Sequence, residues 1–94
     1  MPRVKLEGHI IVSESDLAAV MEELKNHITN TRAEKGCITF KVSQDPNNKC
    51  RFNVYEEFDS AESFQYHQRK VQASVWGSIA ANVERNYTIE GLEA

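Results

Sequence analysis

Two residues of this 94-residue chain have the chemistry of an acid–base pair and fall where one interior could hold both. Glu56 alternates with Phe52, Val54 and Phe58, so a strand would turn its carboxylate to the same side as those apolar residues. A carboxylate on a buried face either pairs with a cation or has its pKa raised by desolvation, which suits a general acid or base. Pairing with Arg32 or Arg85 would make it purely structural. His67 lies three residues beyond Phe64 and four before Val71, near the inner stripe of a helix. A carboxylate facing an imidazole holds its tautomer and raises its basicity, as a proton-abstracting base needs. A lone inward histidine satisfied within the core is the plainer alternative.

A second group of polar residues gathers where a helix gives way to a strand. Thr31, Arg32 and Glu34 precede Gly36, and helix ends against a sheet are places where a cavity forms, so these residues are candidate pocket edges. They equally suit the capping and solvation of a helix end. His27 falls on the edge of the same helix, while His9 alternates to the other side of the first strand. Three histidines divided in this way do not compose a metal site. Trp76 and Tyr87 read as core aromatics whose polar tips want partners. No glycine-rich phosphate loop supports nucleotide or flavin binding, and no Ser or Cys carries a nucleophile signature.

The elements that position these residues follow from hydrophobic period. Residues 3–12 alternate, with Val4, Leu6, Gly8, Ile10 and Val12 on one face. Ser13 and Asp16 form a capping pair for a helix whose stripe is Leu17, Val20, Met21, Leu24 and Ile28. At 100° per residue, Thr31 lies inside that stripe, with His27 and Arg32 on its edges. Gly36 suits a left-handed helix terminus, and Ile38, Phe40 and Val42 then alternate as a second strand. Asp45-Pro46-Asn47-Asn48 is a turn by composition, and the third strand runs from Arg51 to Phe58. Asp59 with Glu62 opens a helix whose inner stripe is Ala61, Phe64, Gln68 and Val71. A short helix from Ser74 presents Val75, Trp76, Ile79, Ala80 and Val83, and Tyr87 to Glu90 form a last strand. This β-α-β-β-α(α)-β order, with right-handed crossovers, predicts an α+β, ferredoxin-like, four-stranded antiparallel sheet with helices on one face. The other face (Lys5, His9, Ile11, Cys37, Thr39, Tyr55) is mixed in character, and a second subunit could cover it.

Length and charge narrow the function further. A single domain over residues 1–94 buries about 60–65% of its unfolded surface, enough for a modest core. Acidic residues exceed basic ones, the net charge is −3 and no basic run occurs, which argues against nucleic acid as a partner. No apolar stretch approaches membrane-spanning length and the charged start has no signal-peptide core, so the expected location is cytoplasmic. Cys37 and Cys50 would begin consecutive strands of a hairpin and so lie at opposite ends of it, as free thiols.

The order and spacing of His27, Thr31-Arg32, Glu34, Gly36-Cys37, Phe40, Val42, Asp45-Pro46, Phe52, Val54-Tyr55-Glu56, Phe58, Phe64, His67, Ser74 and Trp76-Gly77 resemble the antibiotic biosynthesis monooxygenase domain family over nearly the whole chain. The resemblance implies a dimeric α+β barrel, a homodimer in which two sheets face each other. Several members are oxygenases that use neither metal nor flavin as cofactor and act with O2 on phenols, quinols or polyketide-type aromatics. By that resemblance His67 would be the base, Glu56 its orienter and His27 or Arg32 the donors to substrate oxygens. Phe52, Phe64 and Trp76 would close the pocket. The haem-degrading relatives use an Asn on the first strand and a Trp on the second helix, and this chain has neither. Val54 and Phe58 are apolar where some polyketide-oxidising relatives are polar. The family also holds isomerases of small phosphorylated sugars. The same His/Glu pair would serve proton transfer on a small carbonyl metabolite, and a non-catalytic dimeric binding module is the third reading.

Overall fold

The computed structural model describes residues 3–92, so the ends of the expected 1–94 domain lie outside the described residues. Its elements are β1 (Val4–Ile11), α1 (Leu17–Arg32), β2 (Cys37–Asp45), β3 (Asn48–Phe58), α2 (Ala61–Gln72), α3 (Val75–Ile79) and β4 (Glu84–Glu90). The strands form one sheet in the order β2-β3-β1-β4, each neighbour antiparallel to the next. This is the expected ferredoxin-like arrangement. The even-numbered residues of β1 and β3 carry the core because side chains alternate across a strand. Val4, Leu6, Val54, Phe58 and Phe64 make one cluster. Ile10, Val12, Val20 and Phe52 make a second, packed by Leu24, Trp76, Ile79 and Val83. Helix residues appear in both clusters on the same side of the sheet. The opposite face shows Lys5, Glu7, His9, Ile11 and Tyr55, all exposed or half-buried.

Several local expectations are corrected, each for a physical reason. Gly36 does not adopt the left-handed conformation, since α1 ends at Arg32 with Ala33 as a right-handed C-cap. A side chain at Gly36 would instead run into the Ser63 hydroxyl and come 2.8 Å from Asp59 Oδ1, so the glycine lets β2 begin against the start of α2. Ile38 does not share the face of Phe40. The register slips between Cys37 and Thr39, which leaves Ile38 unpaired and 44% exposed, while Cys37 opposite Phe58 turns in to the core. Cys37 is therefore not on the open sheet face.

The helices are rotated slightly from the expected stripes. Ser13 and Asp16 bond each other in a turn, and α1 begins at Leu17. Met21 is exposed while Val20, His27 and Thr31 are buried, so His27 is an interior residue of α1 and not an edge one. In α2 the N-cap is Ser60, whose hydroxyl accepts from the Ser63 amide, in place of Asp59. His67 is buried where Gln68 was expected, and Gln68 is exposed. Val75 is also exposed, because α3 is a single turn anchored through Trp76, Ile79 and Ala80. Strand β4 begins at Glu84, earlier than Tyr87, and it is the solvent-facing edge next to β1. Both cysteines are free.

Candidate active site

Glu56 reaches the interior from the middle of the sheet. On β3 it stands opposite Leu6 of β1 and Phe40 of β2, and the alternation that buries Phe52, Val54 and Phe58 buries it too, at 7% exposure. Its Oε1 is fully enclosed and has no hydrogen-bond partner among the described residues. Neither Arg32 nor Arg85 forms an ion pair with it among those residues. An unpaired buried carboxylate is costly, and the cost falls on the charged form. Desolvation, with a smaller contribution from the Glu34 charge, pushes the Glu56 carboxyl up to about 7.

His67 faces it from α2, one helical turn beyond Phe64, and is 2% exposed. Its ring rests against Phe58, with centroids 5.0 Å apart, and lies 6.1 Å from the Phe40 ring. The two ring nitrogens have different surroundings. Nδ1 lies 3.0 Å and 3.2 Å from the two carboxylate oxygens of Glu34, and Nε2 lies 3.8 Å from Glu56 Oε1. An ionised carboxylate only accepts, so the proton belongs on Nδ1 and the Nε2 lone pair faces Glu56. At 3.8 Å that second approach is too long for a hydrogen bond. Glu34, in the connection between α1 and β2, is half-buried as a residue, but its side chain is only 5% exposed and lies 3.8 Å from the Lys70 ammonium. The orienting carboxylate is therefore Glu34, and Glu56 occupies the opposite side of the imidazole.

A cavity of about 180 Å3 opens beside this pair. It lies where the two core clusters part, and takes Leu6 and Val54 from one, Ile10, Trp76 and Val83 from the other, and Val42, which packs against both. His27 closes one wall, stacked on Trp76 with centroids 4.6 Å apart and edge-on to Phe40 at 5.3 Å. Burial first, and the neighbouring His67 second, bring the His27 imidazole down to about 4. Tyr87 of β4 lines the cavity as well. The residue as a whole is 36% exposed on the sheet edge, but its phenol is pushed up to about 12 by burial first and then by the Glu56 charge, against the smaller pull of Arg85. A smaller cavity, about 120 Å3 and with a polar lining of Glu23, Asn30, Thr31, Glu34, Lys70 and Ser74, shares the His27–Trp76 wall. Glu34 thus touches one chamber and the Nε2 side of His67 the other.

The structure brings together four of the residues singled out in the sequence, namely His67, Glu56, His27 and Trp76. It does not bring in three others. Arg32 is exposed and lines neither cavity, its Nε and Nη2 donating to the Phe40 carbonyl at 3.1 Å and 2.9 Å. Phe52 packs with Ile10, Val12 and Val20, and Phe64 packs edge-on to Phe58 at 5.7 Å, both outside the cavity lining. Arg85 and Tyr87 were missed as lining residues, although their alternation with Ile89 on one strand was a usable signal. Glu34 appeared only as a rim residue because a loop position has no period to aim it. Among the described residues, no group of three or more His, Cys, Asp or Glu side chains could hold a metal ion, and no helix is long and apolar enough to cross a membrane.

Comparison with known proteins bears on this arrangement. The family model for antibiotic biosynthesis monooxygenase matches residues 4–76. No curated protein matches the chain. Among solved structures, the fold is similar to a Nitrosomonas europaea protein named as a candidate antibiotic biosynthesis monooxygenase, at 18% identity and a TM-score of 0.77, covering 95% of this chain and 88% of that one. A Deinococcus radiodurans protein of the same designation is similar at 24% identity and a TM-score of 0.72, covering 97% and 94%. A Bacteroides thetaiotaomicron protein of unknown function, described as a possible oxidoreductase, is similar at 18% identity and a TM-score of 0.74, covering 94% and 95%. At these identities the likenesses concern the fold. The matched segment, however, runs from β1 into α3 and includes Glu34, Glu56 and His67, and on that match the chain belongs to the antibiotic biosynthesis monooxygenase family.

Proposed function

We propose that this protein is a cofactor-independent monooxygenase that oxidises a phenol or quinol containing a single aromatic ring. The observation that carries this reading is the His67 imidazole, held at Nδ1 by Glu34, with Nε2 on the side of Glu56 and both residues lining the cavity. In this reading Nε2 removes the phenolic proton. The electron-rich anion passes one electron to O2, and the radical pair combines at a ring carbon to give a peroxide. Loss of water from the peroxide leaves a quinone, so phenol and O2 become quinone and water. Glu56, held near half-protonation at neutral pH, stands ready to exchange a proton with the departing oxygen. His27 is neutral there and can hydrogen-bond without adding charge.

Size supports a small substrate. An apolar cavity of roughly 150 Å3 holds benzene, and drug-sized ligands take about 300–1,000 Å3. The 180 Å3 available here suits one ring with small substituents and is too small for a fused polyketide. The family relationship supports a homodimer through the open sheet face, where Ile11 and Tyr55 are only half-buried in the single chain.

Oxygen uptake with a panel of hydroquinones and phenols tests the proposal directly. The parent protein should consume O2 and yield the quinone, and His67→Ala should lower the rate by ~100-fold or more. A His67→Ala variant working at the parent rate would remove the base. Proton exchange on a carbonyl compound without O2 consumption would replace the oxygenase with an isomerase.

A further inference from the structure

We propose that the ring accepted by this site carries a carboxylate, which Arg85 receives at the β4 wall of the cavity. The inference rests on the reading of the site as one for a single-ring phenol, and adds the substrate's charge to it. Arg85 stands opposite Ile10 of β1 and on the same strand face as Tyr87, opposite Gly8, so both project toward the helix side of the sheet. Its guanidinium is anchored, with Nη2 donating to the Ala80 carbonyl at 3.0 Å and Nη1 approaching the Val83 carbonyl at 3.4 Å. Those carbonyls hold the group in place but do not neutralise it, and among the described residues no carboxylate forms an ion pair with Arg85. An arginine has five N–H donors in a planar fork, so donors remain for a carboxylate beyond those given to the two carbonyls and to the Tyr87 phenol.

The remaining polar groups of the cavity leave Arg85 as its fixed charge. Near pH 7 the Tyr87 phenol is neutral, burial keeps the His27 imidazole neutral, and the Glu56 carboxyl is pushed toward protonation. Below pH 7, where the Glu56 carboxyl is mostly protonated, an anion entering the cavity therefore meets Arg85 on the exposed sheet edge with little opposing charge. The spacing also fits. Strand β4 is two strands across the sheet from β3, which is roughly 10 Å. A glutamate and an arginine reaching inward from strands that far apart leave room for one ring between them. A hydroxyaryl carboxylate could then set its hydroxyl toward His67 and its acid group toward Arg85. A purely structural role, bonding the chain end of α3, is the competing account of the same contacts.

Isothermal titration calorimetry at pH 6, where the ligand is ionised and Glu56 mostly protonated, with 4-hydroxybenzoate and its methyl ester separates the two accounts. The parent protein should bind the acid at least tenfold more tightly than the ester. Arg85→Gln should bring the acid down to the level of the ester and leave ester binding unchanged, while Arg85→Lys should keep part of the preference. Equal affinity for acid and ester in the parent, no binding of either, or an equal loss of both in Arg85→Gln would overturn the proposal. Thermal melts of each variant identify one that fails to fold, in which case the parent's acid-to-ester ratio decides. Oxygen uptake measured in parallel keeps the two readings apart. Turnover of neutral hydroquinones with no preference for the acid defeats the carboxylate and leaves the oxygenase standing. Arg85-dependent binding of the acid, with no turnover of any ligand, does the reverse.

Discussion

His67 Nδ1 lies 3.0 Å from a carboxylate oxygen of Glu34, a residue 33 positions earlier that belongs to no helix or strand. The contact decides which nitrogen of the imidazole is available. With Nδ1 donating to Glu34, Nε2 is left as the basic atom on the side of Glu56 and the larger cavity. Glu34 also lines the smaller polar chamber, on the other side of the ring from Glu56.

Glu34 is therefore a positioning residue, and Glu34→Gln tests it with little change of shape. The amide offers N–H donors to Nδ1 and so favours the opposite tautomer. We expect kcat to fall by ~10–100-fold or more with KM little changed. Nitrogen-15 NMR of the imidazole should show the proton moving from Nδ1 to Nε2. An unchanged tautomer together with an unchanged kcat would assign Glu34 to packing alone.

Glu56 and His27 tilt stability against pH in opposite directions. The Glu56 carboxyl is raised from 4.5 to about 7, so its contribution is intact below pH 4.5 and is lost as the pH climbs through 7. The full loss amounts to ~3 kcal/mol. The His27 imidazole is lowered from 6.5 to about 4, so its contribution is intact above pH 6.5 and is lost as the pH falls through 4. Urea unfolding of Glu56→Gln should show a stability gain relative to the parent that grows by ~1–3 kcal/mol between pH 5 and pH 8. His27→Phe keeps a ring against Trp76 and should flatten the loss of stability between pH 6.5 and 4. A Glu56→Gln difference that is constant across pH would mean that the carboxyl is not desolvated.

Trp76 limits the size of the ligand. It stacks on His27 at an interplanar angle of 7° and walls both chambers. Removing it in Trp76→Ala should cost about 2–4 kcal/mol in unfolding free energy, through lost burial and lost stacking. The same variant joins the two cavities and should oxidise two-ring naphthols that the parent turns over slowly. Selectivity between benzene-ring and naphthalene-ring substrates gives the readout, and an unaltered ratio would place the size limit elsewhere.

Local pattern was enough to specify the architecture and one half of the site. Period-two alternation aimed Glu56 inward because a strand's side chains alternate whatever their tertiary surroundings, and the spacing from Phe64 put His67 on the inner side of α2 for the equivalent helical reason. Other features depended on non-local contact. The slip at Cys37 and Thr39 turned Ile38 outward, Gly36 answered to Ser63 rather than to its own backbone, and Arg32 found the Phe40 carbonyl instead of the cavity. Glu34 became the partner of His67 only when the α1–β2 connection was laid against α2. Arg85 entered the cavity only because β4 paired beside β1. A chain segment carries its own periodicity, whereas the meeting of a loop carboxylate with a helix imidazole is a property of packing and has no trace in either stretch read alone.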